Sequence, residues 1–253
     1  MKQLIYIIIL ICLSQNINGQ GLDSYKDLIN LDDQIDTVKS NIKEIETVNL
    51  TKFWINNPIE RRYGFIGSNY RRLDIKFLSI IKNPDNPTQY FVFGKSKVAK
   101  NICEFQGIIE IKESYYCNSL EYFSGIAGLI GGEYTFYETP DFGHSGKFKG
   151  RFVTYWTKSE TEKFEYMELP AIEGNNQFSG TWIQYGKTNE IITNWGDSRL
   201  PNSGDLDVGT SEFGVNTKYQ EFGWDSFLKA HFYGCDKETK EKARKKEMDK
   251  WWE

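Results

Sequence analysis

The chain predicts a mainly β protein: an antiparallel β-barrel or sandwich with an N-terminal amphipathic helix and a C-terminal charged helix. Three observations carry this expectation. From about Phe53 onward, apolar and polar residues alternate with a period of two. The 253 residues include 17 Phe, 15 Tyr and 7 Trp, and aromatic residues favour strands. Finally, Phe105-Gln106-Gly107, Phe148-Lys149-Gly150 and Phe178-Ser179-Gly180 each open a run of β-branched and aromatic residues.

Phe-x-Gly occurs six times, also at Phe65, Phe123 and Phe232, where chance would give roughly one or two. Alternate residues of a strand share a face. Phe105, Gly107 and Ile109 therefore line one face, as do Phe148, Gly150 and Phe152, and Phe178, Gly180 and Trp182. The opposite faces begin with polar Gln106, Lys149 and Ser179, so the Phe/Gly side is expected inside. Each glycine leaves a gap. A neighbouring aromatic can lie across it at a barrel corner, or the gaps can line a ligand cavity; packing is favoured.

The elements follow in order. Residues 1–19, a single Lys2 followed by the apolar run Leu4–Leu13, have the layout of a signal peptide. That run is short against the roughly 20 residues that span a bilayer. No stable membrane span is expected once it is removed, and the mature chain is expected to be secreted or periplasmic. Residues 20–50 are read as an N-terminal helical segment: Leu28, Leu31, Ile35, Val38, Ile42 and Ile45 recur at alternating spacings of three and four, a narrow apolar helix stripe. A helix laid across a sheet or barrel mouth is favoured over a coiled-coil stem.

The β domain is assigned to residues 51–234. The runs 73–82 and 89–98 flank the turn-rich NPDNPT and predict a hairpin. Further strands are expected over 105–112, 133–138, 147–157, 163–169, 177–185 and 190–195, while the glycine-dense GIAGLIGG (125–132) is not assigned to one. The segment from Trp195 to Trp224 reads as a long irregular connection, and such loops are often functional. Residues 235–253 predict a charged helix with Asp236 as its N-cap and an apolar patch of Met248, Trp251 and Trp252 that docks on the domain.

The net charge is −4, or about −5 without Lys2, which argues against a nucleic-acid partner. Cys103, Cys117 and Cys235 remain in the mature chain. A Cys103–Cys117 bridge is disfavoured: a straight strand over 103–112 carries the chain roughly 30 Å away, and five more residues return only about 17 Å.

Candidate chemistry concentrates in the long segment. Asp197, Arg199, Asp205, Asp207 and Glu212, with Trp195, Trp224 and the nearby Trp182, form a candidate ligand-binding set of polar groups and stacking rings. Paired carboxylates flanked by aromatics also suit glycan hydrolysis, although Asp and Glu are ordinary turn residues as well. Asp205 and Asp207 lack the spacing of a calcium loop, so no metal and no cofactor is expected. His144 lies beside Asp141 and Ser145, but adjacency in a glycine turn does not make a triad. The pairs Arg61/Arg62 and Arg71/Arg72 suit an anion site or, as favoured, solvated strand ends.

The stretch FIGSNYRRLDIKFLSIIKNPDNPTQYFVFGKSKV, with NWGDSRLPNSGDLD and the terminal Trp-Trp, resembles an exported β-rich protein family of Bacteroidota. That resemblance spans most of the mature chain and brings no activity and no functional residues. The expected function is non-catalytic binding of a small apolar molecule, a glycan or a protein. The alternatives are a carboxylate-dependent hydrolase acting on glycans and a periplasmic inhibitor or immunity-type protein.

Overall fold

The structure, a computed structural model, describes residues 25, 28, 35–55, 62–119, 125–140, 143–161, 163–167, 174–231 and 234–253. The expected leader and part of the segment read as helical over 20–50 lie outside the described residues. Where that helix can be compared, it differs. Ile35–Ser40 is a strand (β1), followed by one helical turn, Ile42–Ile45 (α1). The reason is a partner remote in sequence: β1 pairs with residues 115–119, a strand end that projects past its neighbours and offers open backbone groups.

The remaining elements are α2 (Lys52–Ile55), β2 (Arg62–Ile66), β3 (Arg71–Lys82), β4 (Gln89–Val98), β5 (Asn101–Ser119), β6 (Gly128–Glu138), β7 (Gly146–Thr157), β8 (Glu165–Tyr166), β9 (Asn175–Gln184) and β10 (Glu190–Asp197). A 3-10 turn (Thr217–Phe222) precedes α3 (Asp225–His231) and α4 (Lys237–Glu247). Eight strands, β2 to β7 with β9 and β10, pair antiparallel in chain order, and β10 returns to β2. The sheet is therefore a closed up-and-down barrel, which has no free edge along its wall. β8 adds to β7 outside this circuit.

Alternation sets the interior. The face of β6 that points inward reads Gly128, Ile130, Gly132, Tyr134, Phe136 and Glu138, all buried. On β3 the inward set shifts from Leu73, Ile75 and Phe77 to Ile80, because a bulge between Phe77 and Ser79 changes the register. The segment 125–132 is corrected by the structure: its second half begins β6. Its glycines hide the strand signal because the bulk they lack comes from across the sheet.

That exchange recurs around the wall. Gly64 opposes Trp195, Gly94 opposes Phe105, Gly107 opposes Phe136, Gly128 opposes Trp156, Gly132 opposes Phe152 and Gly150 opposes Tyr134. At Gly94 a Cβ would sit 2.5 Å from the Phe105 ring, and at Gly132 one would sit 2.6 Å from the Phe152 ring. The Phe-x-Gly copies are thus one half of a cross-strand fit. Phe105, Phe148, Phe152 and Phe178 share one interior with Ile109, and Trp182 packs at its margin. The rings meet as an interlocked stack: Phe178 lies on Trp195 at 5.2 Å and 13°, and on Phe152 at 5.3 Å and 21°. Phe105 lies on Phe136 at 5.0 Å and 23°.

One end of the barrel is plugged. Ile45, Leu50, Phe53 and Trp54 of the α1–α2 segment join the interior cluster. Trp54 meets Tyr90 and Phe152 edge-on at 5.2 and 5.8 Å, and its Nε1 donates to Thr154 Oγ1 at 3.3 Å. Two satellite cores clad the outside. Tyr25 and Leu28 cover Leu129, Val153 and Tyr155. Leu200, Leu206, Phe213, Tyr219, Trp224 and Phe227 cover Phe65.

The C-terminal helix forms as expected, with Asp236 accepting the Thr239 N–H at 2.8 Å. It is fastened to the wall by Glu247–Arg72 (2.9 Å) and by Lys76 and Lys97 over the rings of Trp252 and Trp251 at 4.4 and 5.4 Å. Met248, the third member of the expected patch, is exposed. Cys103 and Cys117 lie on one continuous strand, and both thiols are free, as is that of Cys235.

The interlock makes overpacking costly. Gly94→Ala or Gly132→Ala should lower unfolding free energy by about 1–3 kcal/mol in urea titration. Gly143→Ala, where an added Cβ meets nothing within 4 Å, should change it by less than about 0.5 kcal/mol.

Candidate functional site

The two barrel ends carry different chemistry. At the plugged end the inward stripe of β10 finishes on Asp197, which is 1% exposed. It is fully partnered: Arg62 Nε donates at 2.8 Å, Asn176 Nδ2 at 2.6 Å and the Tyr166 hydroxyl at 3.3 Å. The Arg62 guanidinium also lies 5.1 Å from the centre of the Phe77 ring.

At the opposite end the barrel opens into a cavity of about 680 Å³, within the range of about 300–1,000 Å³ common for small-ligand pockets. Phe148 and Trp182 form its apolar floor and side, with Ile66, Val98, Ile191 and Ile192 on the walls. Arg71, Asn101, His144 and Glu190 supply polar groups around it. Ile102, Tyr137, Tyr185 and Ile192 are exposed at the same strand ends.

Glu138 sits in the floor. It continues the apolar inward stripe of Tyr134 and Phe136, and only 4% of it is exposed. Three strands besides its own deliver donors to it. The Ser96 hydroxyl of β4 donates to Oε1, while the Gly146 N–H of β7 (2.8 Å) and Trp182 Nε1 of β9 (2.9 Å) both donate to Oε2. The Tyr185 hydroxyl donates to its backbone carbonyl at 2.7 Å. Burial pushes the Glu138 carboxyl above the usual range, and its three donors pull the other way without cancelling that effect. Cys103, beside it in the cavity lining, is held up to about 11 by burial and then by the negative field of Glu138. Its thiol is therefore neutral near pH 7, and a neutral thiol is a poor nucleophile.

Of the candidate ligand-binding set expected from the sequence, Trp182 lines this cavity. The other members of that set lie elsewhere. Trp195 is at the centre of the barrel core, and Asp197 is in the plugged end. Trp224 is buried in the outer satellite core with its Nε1 on the Tyr70 carbonyl at 2.8 Å.

Arg199 and Asp207 form a 2.5 Å ion pair, and Asp207 also accepts the Gly209 and Gly214 N–H groups at 3.0 Å each. Asp205 binds Lys218 and, at 2.5 Å, the Tyr219 hydroxyl. Glu212 is exposed on the same loop. These four residues thus share one loop, folded by its own carboxylates outside the cavity.

The arginine pairs divide. Arg71 lines the mouth, whereas Arg62 and Arg72 are bound to Asp197 and to Asp74 and Glu247. His144, at the rim, also lines the cavity, and Asp141 lies outside the described residues. Glu138 escaped the sequence reading. Its available signal was a charge at the even position where the stripe Ile130, Tyr134, Phe136 demands an apolar residue.

Because burial raises its pKa, Glu138 contributes stability that is full below the ordinary glutamate pKa and lost as pH rises through its folded-state value. Glu138→Gln should therefore unfold at higher temperature than the parent at pH 8, with the gap closing as pH is lowered toward 4. Paired thermal melts across that range check it.

Comparison of the chain with protein-family models, curated proteins and solved structures finds no match.

Proposed function

We propose that this chain is an exported, non-catalytic binding protein that holds one small, largely apolar molecule in the open mouth of its barrel. The carrying observation is the cavity itself: an apolar recess of about 680 Å³ set above a core whose gaps are already filled by aromatic rings. The ligand would rest on Phe148 and Trp182 and not descend into the barrel, and the polar groups at the floor and rim would orient it. The resemblance and the layout of residues 1–19 support the exported part of this reading. The hydrolase alternative draws less support, since Asp197, Asp205 and Asp207 are each committed to a partner within the fold.

Octanol is a suitable neutral probe, small enough for the cavity. It should bind at one site by calorimetry. Ile191→Asp, which places a charge on the half-exposed wall, should weaken it by roughly tenfold or more, as expected when apolar surface worth about 1.5–3 kcal/mol is lost. The same change at exposed Ile81, on the outer wall, should leave binding unaltered. Failure of octanol and of charged octyl compounds alike to bind would remove this function.

A further inference from the structure

The protein treats its sheltered carboxylates in two ways. Asp197, Asp207 and Glu247 each hold an arginine, at 2.8, 2.5 and 2.9 Å. Glu138 is as deeply buried as the first of these in all but a few per cent of its surface. Yet it receives only neutral donors: a serine hydroxyl, an indole N–H and a backbone N–H. No ion pair reaches it among the described residues. The cavity's own basic side chains, Arg71 and His144, form none with it.

A buried carboxylate without a counter-ion is costly, and removing the cation from such a pair is strongly destabilising elsewhere in proteins. The donor count also leaves room. A carboxylate offers about four acceptor positions. Oε2 uses two, for Gly146 and Trp182, and Oε1 uses one, for Ser96. One position on Oε1 remains, on a residue that lines the cavity. The surrounding wall is apolar, so a charge met there is weakly screened.

Resting on the binding function above, we propose that the ligand of the open mouth carries an ammonium or similar N–H cation on an apolar body, and that Glu138 is the residue that selects it. The cation completes the acceptor shell of Oε1 and supplies the missing counter-charge, while the apolar body lies against Phe148, Trp182 and Ile191. Trp182 has a double part: its ring walls the cavity and its indole N–H holds the Glu138 carboxylate in place.

The test compares octylammonium with octanol, which share one apolar body. Octylammonium should bind the full mature chain about ten- to a hundredfold more tightly than octanol, the range expected of a charge-assisted hydrogen bond. Glu138→Gln, which keeps the side-chain shape and an acceptor for Gly146 and Trp182, should erase that advantage, so that the two probes bind the variant with similar affinity.

The advantage should also shrink as pH falls through the titration of Glu138, while octanol binding stays level. The other titratable groups of this cavity are Cys103 on β5, His144 in the β6–β7 loop, Glu190 on β10 and Arg71 on β3, with Tyr185 just beyond β9. Glu190→Gln separates its contribution and should retain the preference for octylammonium.

Equal affinity of the two probes for the parent protein would overturn the inference and leave the binding function standing. A preference that survives Glu138→Gln would overturn it too, by locating the cation elsewhere. Binding of neither probe would remove the underlying function itself.

Discussion

The structure depends on a match between missing and excess volume across the barrel wall. A closed eight-stranded sheet leaves an interior just wide enough for side chains to fill. Large rings fit there only if something opposite them is small. Here glycine is directly opposite: Gly94 under Phe105, Gly132 under Phe152, Gly64 beside Trp195. The rings then reach one another, and contacts such as Phe178 on Trp195 at 13° add about 0.5–1.5 kcal/mol each beyond the area they bury. Gly150 and Gly180 oppose each other, and Tyr134 crosses both. The middle of the barrel is consequently filled by rings, and the ionisable carboxylates Asp197 and Glu138 lie toward its two ends.

Those ends follow one electrostatic rule with two outcomes. At the plugged end the α1–α2 segment shuts out water, and the charge trapped there has Arg62 and Asn176 as permanent partners. An ion pair so enclosed contributes little net stability compared with apolar packing, but losing one member is expensive. At the open end the sheltered charge is Glu138, beneath a space large enough for a guest. The fold compensates it only with dipoles. Four strands, β4, β6, β7 and β9, converge on this one side chain, so its position is fixed by the barrel and not by a mobile loop.

Much of this architecture was legible in the sequence, for physical reasons that also mark where legibility stopped. Period-two alternation located the β3–β4 hairpin almost to the residue, and the face shared by Phe105, Gly107 and Ile109 correctly indicated the inside. Closure could not be read, because a sandwich and a barrel present the same alternation; only the β10–β2 pairing separates them. The three-and-four spacing of Ile35, Val38, Ile42 and Ile45 suited a helix locally, but the projecting end of β5 offered 35–40 strand partners some eighty residues away. Residues 128–132 show no strand signal of their own, since their packing partners, Trp156 and Phe152, lie on another strand. Acidic and aromatic residues made 195–224 look like a site. In the structure Asp207 gathers the amides of Gly209 and Gly214, and Trp224 anchors a satellite core over Phe65.

The same reasoning explains why a single glutamate outweighs that richer segment. A carboxylate in a turn finds amides and lysines nearby and stabilises the fold by binding them; Asp205 and Asp207 do so. Glu138, at the end of an apolar stripe, also accepts a nearby amide, that of Gly146, but among the described residues it holds no cation. Glutamine at position 138 would keep acceptor capacity for Gly146 and Trp182, could donate to Ser96, and would remove the burden of a buried charge. Natural sequences tolerate a locally unfavourable residue chiefly where function repays it. Glu138 has the burial, the absence of an ion pair among the described residues and the adjoining cavity together, a coincidence that no carboxylate of the long loop shares.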